Sequence, residues 1–332
     1  MSVQMMIIIF LAAGVGFLVF FIVKNIILPK RALSASNYLN RNETLRAMRA
    51  AKAAIEKDPK NAEAHYLLGK AYLADKRDEQ AFREYRSANR LGIEGKNIPE
   101  TEFRKTLAML YTKFHEEEEA LKEYILLIKK HPENPDYYFQ AGKIFVSRSR
   151  GDLAEQYLRK AISLSPQEIS YLIELGMFYY LIKRIKDSGD VFELALKQDP
   201  ANGMALLYLG KIHKDAKDYA GAIPYLEKAT RDPKHKLRGL VELGSSYMSL
   251  KMLDKAIPEL ERAVNIIVKE DEVDSLYARY FLAMCYEKTQ EYPKAIAQWD
   301  LIYTQKKNFR DVGEKLTQYI EYRTGADGKI SP

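Results

Sequence analysis

The fold is decided by a stretch of 34 residues, Ile169–Asn202, which reads ISYLIELGMFYYLIKRIKDSGDVFELALKQDPAN. Within it, the small residue Gly176 is followed three positions later by Tyr179, and a second small residue, Ser188, comes nine positions after that. Pro200 stands near the end of the stretch, where it cannot continue a helix. This order of small, aromatic and helix-breaking residues predicts two short antiparallel helices joined by a turn.

The same pattern recurs along most of the chain. It can be placed in eight repeats, which cover residues 28–61, 62–95, 101–134, 135–168, 169–202, 203–236, 237–270 and 276–309. The first small position is held by Ala35, Gly69, Ala108, Gly142, Gly176, Gly210, Gly244 and Ala283. The second is held by Ala47, Ala81, Ala120, Ala154, Ser188, Ala222, Ala256 and Ala295. Self-similarity at a fixed period indicates a repeat architecture.

The residue types at the recurring positions have a physical reason. Two helices this short cannot bury their apolar faces alone, so each repeat must pack against its neighbours. Small residues on both helices let the two axes approach closely. The space toward the next repeat is predicted to be filled by the aromatic residues Tyr72, Tyr111, Phe145, Tyr179 and Tyr247. The second helix is predicted to end before the prolines Pro59, Pro132, Pro166 and Pro200.

On these residues the sequence resembles the tetratricopeptide-repeat family over residues 28–309, about five-sixths of the chain. The resemblance implies an all-α fold, a right-handed superhelical solenoid of about eight helix–turn–helix repeats. Lys96–Glu100 and Asp271–Ser275 interrupt the register and are expected to form longer turns. The first repeat departs from the pattern, because Arg31 and Ser34 stand where apolar residues are expected.

Both ends of the solenoid carry additional elements. Phe309, Val312, Leu316 and Ile320 form an apolar stripe at helical spacing. The stripe predicts a capping helix over 310–323, since the last repeat of a solenoid needs a cover. Residues 324–332 are expected to be a disordered tail.

The N-terminal segment predicts a membrane anchor over residues 1–27. Met5–Val23 reads MMIIIFLAAGVGFLVFFIV, an uncharged run long enough to cross a bilayer as one helix. No small-residue cleavage site follows it directly, which favours an uncleaved transmembrane helix over a signal peptide. The residues after it are mostly basic, namely Lys24, Lys30, Arg31, Arg41, Arg46, Arg49 and Lys52, with only Glu43 opposing them. The positive-inside bias places the repeats on the cytoplasmic face of a bacterial inner membrane, with the periplasmic face as the alternative.

Composition argues against several functional classes. The single cysteine, Cys285, and five scattered histidines provide no disulfide framework and no metal-ligand spacing. No nucleophile–base arrangement or phosphate-binding loop occurs, so the sequence predicts no enzyme activity and no cofactor. The net charge of +7 mildly favours acidic partners or anionic lipids. Much of the positive charge follows the apolar run, which indicates a membrane and not a nucleic acid.

The family resemblance places the binding function on a concave face lined by the first helix of each repeat. The residues expected on that face are Tyr66, Lys70, Lys105, Met109, Phe139, Lys143, Ile173, Met177, Tyr180, Leu207, Lys211, Lys214, Met248, Tyr280 and Met284. Lysines, methionines and aromatics suit an amphipathic helix or an extended segment with acidic residues. Packing between repeats is the alternative role for each. The lysine–asparagine clamp of chaperone-binding family members is not expected, because Met109 follows Lys105 by one turn.

These features favour a membrane-anchored scaffold that binds protein partners and organises a membrane-associated complex. Resemblance suggests spirochaetal flagellar collar proteins. It also suggests anchored repeat proteins of lipopolysaccharide assembly, but those end in a four-cysteine metal module that this chain lacks. The alternative is a targeting receptor or chaperone with many transient clients. A homo-oligomer is possible, because open-ended solenoids stack readily. No residue pattern requires one.

Overall fold

A computed structural model of the chain describes residues 14–16, 18, 28–94 and 96–319. Between Leu28 and Gln318 the described residues form seventeen helices. In chain order they are α1 (Leu28–Asn40), α2 (Thr44–Lys57), α3 (Ala62–Ala74), α4 (Asp78–Arg90), α5 (Glu100–Lys113), α6 (Glu117–Lys130), α7 (Pro135–Ser147), α8 (Gly151–Leu164), α9 (Ile169–Leu181), α10 (Ile185–Gln198), α11 (Gly203–Asp215), α12 (Tyr219–Ala229), α13 (Lys236–Ser249), α14 (Leu253–Asn265), α15 (Val273–Lys288), α16 (Tyr292–Gln305) and α17 (Val312–Gln318). The all-helical array of about eight repeats is therefore confirmed.

The predicted anchor lies almost entirely outside the described residues, as does the predicted tail, 324–332. Within the described part of the chain, no helix has the length and apolar character needed to span a bilayer.

The chain divides into two compact units, residues 1–148 and 149–332. The N-terminal unit contains the helix pairs α1–α2, α3–α4 and α5–α6, followed by α7. The C-terminal unit begins with α8 and continues with the pairs α9–α10, α11–α12, α13–α14 and α15–α16. The predicted repeat 135–168 therefore contributes one helix to each unit.

Each first helix ends in the predicted turn, whose left-handed backbone the residue pattern does not indicate. One residue of the turn has a left-handed backbone, with φ between 56° and 65° at Asn42, Lys76, His115, Ser149, Lys183, Lys217, Lys251 and Gln290. The amide after it then bonds back into the last turn of the helix. For example, Arg184 N–H donates to the Tyr179 carbonyl at 2.9 Å, and Lys183 N–H donates to Tyr180 at 3.1 Å. These paired bonds satisfy carbonyls that the helix end leaves open.

The second helices end where the prolines predict. α2 ends at Lys57, two residues before Pro59, and α10 ends at Gln198, two residues before Pro200. The same offset separates the ends of α6 and α8 from their prolines. Because a proline disfavours helical backbone in the residue before it, each chain segment leaves the helix at that point.

The small residues produce the close approach that their type predicts. A Cβ at Gly210 would lie 2.5 Å from Leu226 Cδ2, and one at Gly176 would lie 2.8 Å from the Phe192 ring. At the second small position, Ser188 is fully buried, and its hydroxyl donates to the Gly176 carbonyl at 2.8 Å. A serine is accepted at this position because its polar group has a partner.

A longer turn occurs near residue 271, but it lies between Asn265 and Val273, earlier than the predicted Asp271–Ser275, because residues 273–275 already belong to α15. The buried Arg279 of α15 holds this turn in place. Its guanidinium donates to both carboxylate oxygens of Glu270, at 2.8 and 2.7 Å, and to the Gln298 side chain at 2.8 Å. The bidentate pair fixes the turn against α15 and α16.

The end of the described chain is packed against the last repeat. In and just before α17, Phe309, Val312 and Leu316 are buried. The Tyr319 ring stacks on Trp299 with the ring centroids 5.7 Å apart. The fourth residue of the predicted stripe, Ile320, lies outside the described residues.

Candidate functional site

The first helices of successive repeats contact one another, which brings the predicted binding residues of neighbouring repeats together. In the C-terminal unit α9 contacts α11, α11 contacts α13, and α13 contacts α15. In the N-terminal unit α1 contacts α3 in the same way. We call the row of first helices within each unit its first-helix face.

The structure sorts the predicted residues by exposure. Four are buried and pack within the core, namely Tyr66, Leu207, Met248 and Tyr280. Lys105, Met109 and Lys143 are exposed. The half-buried residues are Lys70, Phe139, Ile173, Met177, Tyr180, Lys211, Lys214 and Met284. Leu207, with no exposed surface, contributes packing only, whereas the exposed and half-buried residues leave surface for a partner.

In the N-terminal unit, an ion pair links two neighbouring first helices. The Lys70 ammonium lies 2.9 Å from a Glu102 carboxylate oxygen and 5.5 Å from the centroid of the Tyr66 ring. The Tyr66 hydroxyl donates to the same carboxylate oxygen at 3.4 Å. Burial, followed by the charge of Glu102, raises the pKa of Tyr66 above its ordinary range. Lys70 therefore already has an acidic partner within the protein.

Further along this unit, Lys143 and Met109 are exposed on first helices. The Lys143 ammonium lies 5.4 Å from the centroid of the Phe139 ring, within cation–π range. Met109 has about half of its surface exposed, at 51%. Met109 follows the exposed Lys105 by one turn of α5, and a flexible methionine beside an exposed lysine makes an adaptable surface.

In the C-terminal unit, Tyr180, Tyr208 and Lys211 form what we call the aromatic–lysine cluster. The Lys211 ammonium lies 5.3 Å from the Tyr180 ring centroid and 5.4 Å from that of Tyr208. The two rings meet edge to face, with centroids 5.2 Å apart. The Tyr180 hydroxyl donates to Asp215 at 2.5 Å, which fixes the ring across the gap between α9 and α11.

Lys211 differs from its neighbour Lys214 in its charge environment. Lys214 forms an ion pair with Glu242 and donates to the Ser245 hydroxyl at 2.5 Å. Among the described residues, no carboxylate lies within 4.0 Å of the Lys211 ammonium. Burial, followed by the nearby charge of Arg238, lowers the pKa of Lys211. Lys211 is thus a half-buried cation whose charged form would gain from an added anion.

Other titratable residues have structural partners. Cys285 is fully buried, and burial raises the pKa of its thiol to about 12. His65 Nδ1 lies 2.6 Å from Glu84, and His213 Nδ1 lies 2.8 Å from Asp218. In the described part of the chain, no three His, Cys, Asp or Glu side chains are grouped to hold a metal ion.

Sequence reasoning missed the acidic and cationic neighbours of the predicted residues. Glu102, Asp215, Glu242, Tyr208 and Arg238 all lie on the first-helix faces but were not predicted. A signal was present for two of them, since Glu102 follows Lys70, and Glu242 follows Lys214, by roughly one repeat length. Residues so spaced lie on the first helices of neighbouring repeats, where opposite charges can form ion pairs.

Family comparisons agree with the repeats seen in the fold. A family model described as tetratricopeptide repeat matches residues 33–93, 107–169 and 184–236, more than half of the chain. A second model of the same description matches residues 237–267.

Curated relatives share short stretches with this chain. The protein O-mannosyl-transferase Tmtc3 of Drosophila melanogaster is 26% identical over 148 residues, which cover 44% of this chain and 16% of that protein. Anaphase-promoting complex subunit 3 of Schizosaccharomyces pombe is 24% identical over 178 residues, which cover 54% of this chain and 27% of that protein. The chain thus spans less than a third of either relative.

Among solved structures, yeast Tom70 has a TM-score of 0.56 at 16% sequence identity. That match covers 86% of this chain and 61% of Tom70. At so low an identity the likeness shows a shared fold and nothing about the partner.

Proposed function

The chain belongs to the tetratricopeptide-repeat family, and from that premise we propose that it is a non-enzymatic, membrane-anchored scaffold. Proteins of this family mediate protein–protein interactions. The partner is a protein segment bound along the first-helix face of a unit, the face that the family resemblance implies to be concave. By holding such partners, the scaffold organises a membrane-associated complex.

The observation that supports this proposal best is the environment of Lys211. Its ammonium is half-buried between two tyrosine rings and has no carboxylate within 4.0 Å among the described residues. An aspartate or glutamate of a partner would supply the missing charge in a partly desolvated place, where ion pairs are stronger than in water. The rings offer apolar surface to the rest of the segment. The favoured partner is an amphipathic helix or an extended segment with an acidic residue.

The membrane location rests on the sequence. The uncharged run Met5–Val23 supports a single transmembrane anchor. The basic residues that follow it support a cytoplasmic repeat domain at a bacterial inner membrane, and a periplasmic domain is the alternative. A collar-type accessory structure of the flagellar motor is the more specific form of this proposal, and only the sequence resemblance supports it.

A second function, that of a targeting receptor or chaperone, is favoured by Met109. Its side chain is exposed on the first-helix face, and methionine adapts to many apolar surfaces. A receptor of this kind would release many clients quickly, whereas a scaffold holds one or two partners at fixed stoichiometry.

These functions are separated by crosslinking the tagged full-length protein in its native membrane and identifying the captured partners by mass spectrometry. One or two stoichiometric membrane components are the expected result for a scaffold. A broad set of unrelated clients would instead establish the receptor or chaperone. Periplasmic partners would contradict the cytoplasmic orientation.

The role of Lys211 is then tested with the captured partner. Lys211→Met keeps the length of the side chain and removes its charge, so we expect the partner to bind about tenfold more weakly, as for the loss of one partly desolvated ion pair. The matched control is Lys217→Met, because Lys217 is exposed in the turn after the same helix. Equal partner affinity in both variants would contradict a role for Lys211.

A further inference from the structure

A cavity of about 420 Å³ lies in the first repeat, between α1 and α2. Its lining residues are Ser34, Tyr38, Arg46, Arg49, Ala50 and Ala53. The cavity opens to solvent, and two of its six lining residues are arginines.

The cavity exists because the first repeat departs from the repeat pattern. Ser34 stands where the second repeat has Leu68, which is buried with 3% of its surface exposed. Ala50 stands where the second repeat has Glu84. Small side chains at both positions leave a space that the second repeat fills. Ser34, one of the departures of the first repeat from the pattern, therefore helps to form a concave surface together with Ala50.

The charge in the cavity is predominantly positive. The Arg46 guanidinium lies 2.5 Å from Glu43 and is largely exposed, with 68% of the side chain accessible. For Arg49, no carboxylate lies within 4.0 Å among the described residues. The pattern differs one repeat later, where Arg83 holds the position of Arg49 and lies 3.9 Å from Glu79. Two arginines thus line the cavity, and Glu43, which pairs with one of them, is not among its lining residues.

We propose that this cavity binds the anionic headgroup of a membrane phospholipid. Arginine suits this ligand because its planar guanidinium donates two parallel hydrogen bonds to a phosphate. The Tyr38 hydroxyl stands at the same surface and can donate to a further oxygen of the headgroup. Ala50 and Ala53 leave room for the headgroup to enter.

A lipid is favoured over other anions by the position of the cavity in the chain. This step rests on the membrane anchor of the proposed function. Four residues lie between Val23, the end of the apolar run, and Leu28, the start of α1, so the two Cα atoms are at most about 18 Å apart. The first repeat is therefore held near the headgroups, where basic side chains gain from anionic lipids.

The test uses the full chain in detergent and native mass spectrometry, with phosphatidylglycerol or phosphatidylcholine added. The expected result is that the wild type retains phosphatidylglycerol and not phosphatidylcholine. Arg49→Gln and Arg46→Gln should each reduce retention about fivefold, the effect of one basic side chain at a membrane surface. Glu43→Gln should increase retention, because it frees Arg46. Arg83→Gln is the matched control and should retain the lipid as the wild type does.

Other outcomes overturn the proposal. Equal retention of the two lipids, or equal loss in Arg83→Gln and Arg49→Gln, would show that the cavity does not select a headgroup. Full competition by inorganic phosphate would identify a free anion as the ligand. Loss of a crosslinked acidic protein in Arg49→Gln, with lipid retention unchanged, would identify a protein-docking surface.

The anchor is tested separately by extracting native membranes with alkaline carbonate. Release of the chain would contradict the anchor, and with it the proposed membrane scaffold. A chain that stays in the membrane but shows no headgroup preference would contradict the lipid cavity alone.

Discussion

At Gly244 the first helix of a repeat comes so close to the second that a Cβ would lie 2.5 Å from Leu260 Cγ. Similar distances occur at Gly69, Gly176 and Gly210, where a Cβ would lie 2.5–2.8 Å from the facing side chain. These glycines are needed for space and not for an unusual backbone. The role of each therefore depends on the side chain opposite it.

Gly244→Ala is predicted to destabilise the protein by about 1–3 kcal/mol, because the added methyl group must displace Leu260 from a well-packed site. Urea unfolding followed by circular dichroism measures the change. Gly189→Ala is the control, since it lies within α10 with nothing inside 4 Å of an added Cβ. That control should stabilise by about 0.5–1 kcal/mol through helix propensity. Equal effects of the two substitutions would contradict the packing argument.

At the scale of the element, the turn after each first helix depends on one left-handed residue. Lys217 has φ of 61° and is exposed, so its side chain contributes little beyond its backbone conformation. Such a backbone is uncommon for residues other than glycine and is least favourable for β-branched residues.

Lys217→Val is predicted to destabilise the protein by about 1 kcal/mol or more, because its branched side chain fits the left-handed region poorly. Lys217→Gly should stay at or above wild-type stability, since relief of strain offsets the entropy that glycine adds to the unfolded chain. Thermal unfolding of the wild type and the two variants gives their order of stability. A valine variant as stable as the glycine variant would rule out strain at this turn.

The long turn before α15 is held by a charge-dependent contact. The hydrogen bonds from Arg279 lower the pKa of the Glu270 carboxyl. A carboxyl with a lowered folded-state pKa stabilises the protein at pH values above its unfolded pKa. That stabilisation is lost as the pH falls through the lowered value.

The melting temperature of Glu270→Gln should therefore be below that of the wild type at pH 7. The difference should shrink between about pH 5 and pH 3, where the carboxyl becomes protonated. Glu272→Gln is a control within the same turn, since Glu272 contacts only the exposed Lys269, at 3.3 Å, among the ion pairs of the described residues. A difference that does not change with pH would show that the Arg279 contact does not depend on charge.

At the scale of the whole molecule, successive helix pairs contact one another within each compact unit, as expected for an array whose stability adds up from repeats and interfaces. Unfolding of such an array need not be two-state. The single tryptophan, Trp299, is fully buried in the last repeat, so its fluorescence reports on the unfolding of that repeat alone.

Leu316→Ala should weaken the packing of the helix that covers the last repeat by about 2–5 kcal/mol, because Leu316 is buried there. We expect Trp299 fluorescence to change at a lower urea concentration than the helical circular dichroism signal. Leu301→Ala is the control, as Leu301 lies on α16 with 44% of its surface exposed. Coincident transitions in Leu316→Ala would mean that the array unfolds as one cooperative unit.

The face on which the candidate site residues lie was predictable from the sequence, but their burial and their charge partners were not. Lys70, Lys211 and Lys214 were predicted together as groove lysines because they recur on first helices. The structure pairs Lys70 with Glu102 and Lys214 with Glu242, and leaves Lys211 half-buried between two rings. The register gives the face on which a residue lies. Its partners lie on the helix of another repeat.

By itself, the sequence determined the helix pairs, their order and their ends. Small residues, aromatics and prolines such as Pro200 act on the helix that carries them and on its direct partner, so their spacing is visible in the chain. Only the tertiary structure decided that Leu207 is closed to a partner, that Lys211 has no carboxylate within 4.0 Å among the described residues, and that Ser34 lines a cavity. Those properties depend on side chains of facing helices, because burial and charge pairing arise only when the helices pack.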